Sequence, residues 1–239
     1  VLMQIEGWDR NALLDRAAYP LGWLAMAAGL TAALDRHNEK LVAARRALFA
    51  AAAVFLVAAE LLIFNPVWNS NPVGELPVIN ALLLLYGAPA ALLLAFARTM
   101  RPVEARAVPF AAASLALVFG FAWLSLETRH AFHGGKLVGG EVSEAESYAY
   151  SVVWLAYAGV LLAGGVWQRS QALRLGSLIV VMAAVAKVFI VDMADLTGLW
   201  RVASFFGLGM CLVGIGFLYQ RYVFVRGGEA EAATTPSLA

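Results

Sequence analysis

The densest chemistry in this sequence lies in seven residues, where Glu127, Arg129, His130 and His133 fall within the run ETRHAFH. On a helix, Glu127 and His130 share one face at i, i+3, while Arg129 and His133 share another at i, i+4. Two imidazoles and a carboxylate could ligate a transition metal, handle protons or bind an anion. The leading reading is nevertheless an ordinary solvated loop. The spacing matches no zinc signature and a third firm ligand is lacking, so neither a metal nor a cofactor is expected. Gly134, Gly135, Gly139 and Gly140 follow and are expected to make the centre of this loop flexible; no phosphate-binding loop spacing is present. An earlier stretch, Asn65–Pro77 (NPVWNSNPVGELP), combines turn-forming Asn-Pro pairs with Trp68 and Glu75. It reads as a rigid re-entry loop, with substrate contact as the alternative.

A second class of candidate is charge inside apolar sequence. An ionised side chain at mid-bilayer costs ~2.5–3.5 kcal/mol on insertion scales. Glu60 and Lys187 both lie within apolar runs. Asp195 follows Lys187 at i+8 on nearly the same helical face, Asp192 precedes Asp195 by one turn, and Arg201 opens the next apolar run. Lys187 either snorkels toward headgroups or pairs with Asp192, Asp195, Glu127 or Glu60 inside the bundle. Glu127, Arg129, His130, His133, Tyr148, Tyr150, Ser151, Lys187, Asp192, Asp195 and Arg201 are expected to converge on the outer leaflet, with Glu60 a separate intramembrane charge.

The elements that must position them follow from composition. Of 239 residues, 62% are hydrophobic and 14% charged, with a mean hydropathy of +0.76. Soluble domains carry about 25% charge, so a disordered chain, a nucleic-acid binder and a small disulfide-stapled domain are excluded. The single Cys211 lies in an apolar run and allows no disulfide within the chain. Apolar runs predict an all-α, polytopic membrane bundle of about seven spans: Ala17–Leu34, Ala47–Phe64, Val78–Ala97, Ala107–Leu126, Tyr148–Trp167, Leu173–Val191 and Leu199–Tyr219. Each is long enough to cross a ~30 Å hydrocarbon core. Residues 1–16 read as an interfacial segment, 17–222 as the seven-span domain, and 223–239 as a disordered cytoplasmic tail. No basic region precedes a short apolar stretch at the start, so a signal peptide is not expected, and a trimmed or partial chain is the simplest account. Gly207, Cys211 and Gly214 share one face of the last run and are expected to form a packing seam.

Eleven Lys and Arg residues fall on one side of these spans: Arg36, Lys40, Arg45, Arg46, Arg98, Arg101, Arg106, Arg169, Arg174, Arg221 and Arg226. The other side holds five: Arg10, Arg16, Arg129, Lys136 and Arg201. The positive-inside rule then places the N-terminus outside and the C-terminus in the cytoplasm.

The second half also resembles a known family. The run ETRHAFHG, the stretch K-V-F-x-x-D at Lys187–Asp192, the segment LWRVASFFGLG and the closing YQRY are similar to the end of a bacterial family of predicted membrane proteins, the domain of unknown function DUF2339. The resemblance covers about Glu127–Tyr222 well and the first half only in general character. Its pattern positions include Glu127, Arg129, Phe132, Glu146, Tyr148, Trp154, Arg174, Lys187, Asp192, Arg201, Ser204, Phe205, Gly207 and Tyr219. Members are usually several times longer, which implies a C-terminal piece or a short relative. The family brings no activity, cofactor or substrate with it.

The leading expectation is a multi-pass protein of the bacterial inner membrane. It would be an accessory or structural envelope module with a polar site at the outer leaflet, handling an anionic or glycan-like component. A small-solute or proton-coupled transporter using Glu60 and Lys187 is the alternative, as is a membrane-embedded transferase with Glu127 or Asp192 as general base; an enzyme is the less favoured class. Expected partners are the lipid bilayer and either other membrane subunits or the rest of a longer chain, without nucleic acid. The orientation predicts that, in a variant lacking Cys211, a cysteine at Asn71 labels from outside intact cells and one at Arg101 does not. Labelling at Arg101 overturns it.

Overall fold

A computed structural model of the chain describes residues 10–33, 39–69, 72–100, 106–168, 170–192 and 199–219. Among the described residues every regular element is helical: α1 (Arg10–Ala33), α2 (Glu39–Phe55, continuing to Ile63), α3 (Leu83–Gly87, then Ala88–Met100), α4 (Ala107–His133), α5 (Glu144–Trp167), α6 (Gln171–Lys187, continuing to Asp192) and α7 (Leu199–Tyr219). Five of them, in α2 to α6, are long and apolar enough to cross a membrane. Contacts divide the chain into two units, 1–182 and 183–239.

In the first unit α1 packs on α2 and α3, α3 on α4, and α4 on α5. The core residues recur at helical spacing: Ala112, Ala116 and Phe119 on α4, and Tyr86, Leu93, Phe96 and Met100 on α3, all buried. Phe49 stacks on Phe96 at 5.1 Å, and Tyr86 meets Phe119 at 5.9 Å. Outward faces are apolar too, with Val54, Leu62, Val152, Val160 and Ile179 exposed. Apolar surface on this scale suits hydrocarbon and not water.

Several boundaries differ from those read in the sequence. The helix α1 runs unbroken from Arg10, so residues 10–16 form its first two turns. Basic residues Lys40, Arg45 and Arg46, expected in a loop, lie in the first turns of α2, and Arg45 is buried. Val78, expected to open a span, is loop backbone with φ of +66°, and Asn80 marks the true helix start. Its Oδ1 accepts from the N–H groups of Leu82 (2.9 Å) and Leu83 (3.2 Å), the geometry of an N-cap. The opening of α3, Leu83–Gly87, is widened to π-type turns, with Ala88 N–H donating to Leu83 O. Pro89 follows immediately. It lacks an N–H and its ring would strike the carbonyl four residues back, which the wider turn relieves.

The end of α2 is π-helical as well, over Leu56–Ile63, and it carries Glu60, 1% exposed. Arg16 of α1 grips this carboxylate with two bonds, Nη2 to Oε2 at 2.6 Å and Nε to Oε1 at 3.2 Å. The Tyr86 hydroxyl donates to the Glu60 carbonyl at 2.6 Å, and Arg16 also lies 4.4 Å over the Phe64 ring. One residue therefore ties α1, α2 and α3 together. Arg16 holds this carboxylate, a pairing that sequence spacing across 44 positions does not reveal.

In the second unit, α7 presents Gly207 and Gly214 with no described atom of that unit within 4 Å of a Cβ built on either, and Cys211 is exposed. Among the described residues, nothing in that unit fills the small-residue face. The expected N-terminal residues before Arg10, Asp195 and the 223–239 tail lie outside the described residues.

Removing one member of a buried ion pair costs about 3–5 kcal/mol, because the other charge is stranded. Arg16→Met should lower the thermal midpoint in detergent sharply, and Arg16→Met with Glu60→Met should recover most of the loss. A double variant no more stable than the single one would contradict the pairing.

Candidate functional site

The helix α4 extends to His133, about two turns beyond the apolar run that predicts it, so all four residues of the ETRHAFH cluster are helical. Gly134 ends it at φ +67°, its N–H donating to His130 O at 2.8 Å. The spacing then divides the cluster between two faces that meet different parts of the protein.

The Arg129 and His133 face turns toward the 134–143 loop and α5. Arg129 donates from Nε to Leu137 O (2.7 Å), from Nη2 to Gly139 O (2.6 Å), and from Nη1 to Glu146 Oε1 (3.1 Å). Glu146 is fully buried. Its Oε2 takes the His133 Nε2 at 2.8 Å, and the Tyr150 hydroxyl approaches Oε1 at 3.3 Å. A carboxylate can only accept, so His133 Nε2 carries the hydrogen in this bond. Glu146 sits in the first turn of α5, where Ser143 caps the helix by accepting from the Glu146 N–H at 3.2 Å. Ser143-x-x-Glu146 has the form of a capping box, in which the glutamate would turn back to the cap residue; here the carboxylate goes to Arg129 and His133. The result is a closed polar knot joining α4, the loop and α5.

The loop glycines serve this knot with specific backbone geometry. Gly139 and Gly140 both stand at φ +76°, a region that favours glycine. A Cβ on Gly140 would lie 2.7 Å from His133 Cε1, so this residue also leaves room for the imidazole.

The Glu127 and His130 face turns toward the 72–80 segment. His130 Nε2 donates to Gly74 O at 2.7 Å, since the carbonyl can only accept, and Glu127 Oε2 accepts from Val78 N–H at 3.3 Å. Backbone bonds from Val73 N–H to Gly135 O (2.8 Å) and from Ala81 N–H to Val73 O (2.9 Å) add to the seam. The end of the Asn65–Pro77 stretch, at Val73 and Gly74, is thereby docked on α4 and on Gly135. The start of the stretch is closed on itself by Asn65, whose Oδ1 accepts from Val67 N–H at 3.0 Å.

Of the residues singled out from sequence, Glu127, Arg129, His130 and His133 meet at one end of the first unit. Tyr148 does not join them; it is exposed, and Tyr150 takes the inward place. Ser151 bonds its own helix, Oγ to Ser147 O at 3.4 Å. Lys187 is half-buried at the end of α6 in the second unit; the side chains of Asp192 and Arg201, and all of Asp195, lie outside the described residues. Glu146, the centre of the knot, was not selected by the cost of burying charge, because it precedes the apolar run. The only signal that pointed to it was its place in the family pattern. Among the described residues, no three His, Cys, Asp or Glu side chains are grouped to hold a metal.

The family model described as predicted membrane protein (DUF2339) matches residues 2–222. The chain belongs to this family. The match extends through both halves, beyond the Glu127–Tyr222 part on which the sequence resemblance rests. No curated protein and no solved structure matches the chain.

Gly140→Ala in this DUF2339 protein combines an unfavourable φ with a clash on His133, and is expected to destabilise it by about 1–3 kcal/mol. Glu146→Ala strands Arg129 and should cost about 3–5 kcal/mol. Tyr150→Phe removes only a long contact and should change little. Thermal unfolding in detergent reads all three; a Tyr150→Phe loss equal to that of Glu146→Ala would refute the central place of the Arg129–Glu146–His133 bonds.

Proposed function

We propose that this DUF2339 protein is a structural or accessory module of the cell envelope, embedded in the bacterial inner membrane, with its polar loop end at the outer leaflet. The observation that carries the reading is the closure of the knot. Arg129 spends its guanidinium on two carbonyls and one carboxylate, and Glu146 is buried with both oxygens occupied. Groups poised for turnover need an open position for substrate, whereas paired charges screened from solvent lock helix ends in place. Arg129 is buried, and each of its three guanidinium nitrogens is already bonded within the protein. A transporter reading would lean on Glu60, and Arg16 already holds that carboxylate with two bonds.

In this reading the chain crosses the membrane seven times, N-out and C-in. Five helices meet length and composition for a span, and α1 and α7 add 24 and 21 residues. The eleven-to-five split of basic residues supports the orientation. The partners would be lipid and further membrane subunits or additional spans of a longer chain. The module would hold such neighbours and would itself move no solute.

The purified chain in liposomes under an imposed pH gradient should dissipate it no faster than empty vesicles. A flux abolished by Glu60→Gln would replace this reading with the transporter.

A further inference from the structure

The segment leading into α3 exposes apolar side chains where a loop in water would carry polar ones. Leu76, Val78 and Ile79 are 47%, 50% and 61% exposed. From Asn65 to Asn80 the only charged residue is Glu75, and its carboxylate lies against Gly135, where an added Cβ would stand 2.7 Å from Oε1. The backbone beneath these side chains is strained. Ile79 N–H donates to Pro77 O at 2.7 Å across Val78 at φ +66°, a γ-turn of the rare positive-φ form. An extended chain alternates its side chains between two faces. This turn breaks the alternation, so the neighbours Val78 and Ile79 are both exposed. Pro77 has no N–H to satisfy, and those of Val78, Ile79, Ala81, Leu82 and Leu83 are bonded within the protein. Polar backbone is turned inward and apolar side chains outward, the arrangement that contact with lipid requires.

The depth of the segment follows from α3. Helical backbone there begins at Ala81, and Arg98 lies in the last turn, where its guanidinium marks the opposite interface. The apolar helix from 81 to 97 rises only ~25 Å at 1.5 Å per residue, short of a ~30 Å hydrocarbon core. Tilt would only widen the shortfall. The residues just before the helix, Leu76 to Ile79, must fill the last few ångströms. The connection is apolar at its other end too, where Leu62 and Ile63 of α2 are exposed. Trp68 is exposed beyond them, its indole N–H already donating to Leu62 O at 2.9 Å. We infer that Leu76, Val78 and Ile79 form a lipid anchor, set into the boundary of acyl chains and headgroups at the loop end of the bundle. Contact with lipid offsets the strain held at Val78. The anchor also fixes the depth of α4, because Glu127 and His130 are bonded to the same segment. The inference rests on the membrane embedding proposed above, but not on which side the loops face.

The test uses the full chain with Cys211→Ala in phosphatidylcholine nanodiscs. Ile79→Cys, Val160→Cys and Lys136→Cys each carry a spin label in turn. Val160 is exposed on α5 within a span, and Lys136 is exposed on the 134–143 loop. Collisions with oxygen, which concentrates in hydrocarbon, and with a nickel chelate, which stays in water, read the depth of each label. The oxygen-to-nickel ratio at Ile79 should be severalfold above that at Lys136 and below that at Val160. A ratio at Ile79 equal to that at Lys136, with Val160 still lipid-like, would overturn the anchor alone. A water-like Val160 would refute the membrane embedding and the anchor with it. A label at Ile79 reached by neither reagent would mean that a protein surface covers the segment, and would also overturn the anchor. A second reading leaves the turn unlabelled: with the label at Ala131, exposed on α4, combined Leu76→Ser, Val78→Ser and Ile79→Ser should raise nickel access. Unchanged access at Ala131 would show that the segment sets no depth.

Discussion

A carboxylate removed from water must be satisfied by the protein around it, since unpaired charge in a low-dielectric interior costs several kcal/mol. Glu146 meets that requirement through Arg129 and His133, and the arrangement of the loop end follows from it. Arg129 bonds Glu146 while also holding Leu137 O and Gly139 O, so the same side chain that pairs the charge fastens the 134–143 loop. Gly140 must remain a glycine for His133 to fit. Ser143 is left to cap α5 without the help of a capping-box glutamate.

The same constraint operates at Glu60. There the partner comes from another helix, and the carbonyl of Glu60 is met by Tyr86 from a third. The π-type widening of α2 around Glu60 loosens the regular backbone ladder, and Tyr86 supplies a donor to a carbonyl within it. Two buried carboxylates in the first unit are therefore each closed by an arginine, one between α1 and α2 and one between α4 and α5. Helices that are apolar on nearly every side gain little specificity from hydrophobic contact when lipid is the solvent. Polar contacts of this kind distinguish one neighbour from another.

The C-terminal end of α4 shows how one short run serves two interfaces. Four residues divide between two faces: one organises the α4–α5 loop, and the other fastens the 72–80 segment to the bundle. Docking of that segment brings Val73, Gly74 and Val78 against α4 and forces the backbone of Val78 into a region that β-branched residues avoid. The strain persists because the bonds on either side of it determine the path of the chain.

How much of this was legible before folding depends on the range of the interaction. Apolar runs determine by themselves that the chain is helical and belongs in lipid, because length and hydropathy are local properties. The i, i+3 and i, i+4 spacing at Glu127–His133 likewise determines the two faces of α4, since helical geometry alone relates those positions. Membership of the family is carried by the sequence as well, and it alone pointed to Glu146. Tertiary structure decided the partners: Arg16 for Glu60 across 44 positions, Glu146 for Arg129 across 17, and Tyr150 in place of Tyr148. Those choices depend on which helices lie side by side and how they are turned about their axes. Nothing in a nearly uniform apolar sequence encodes that locally, and it emerges only when buried polar atoms compete for the few partners within reach.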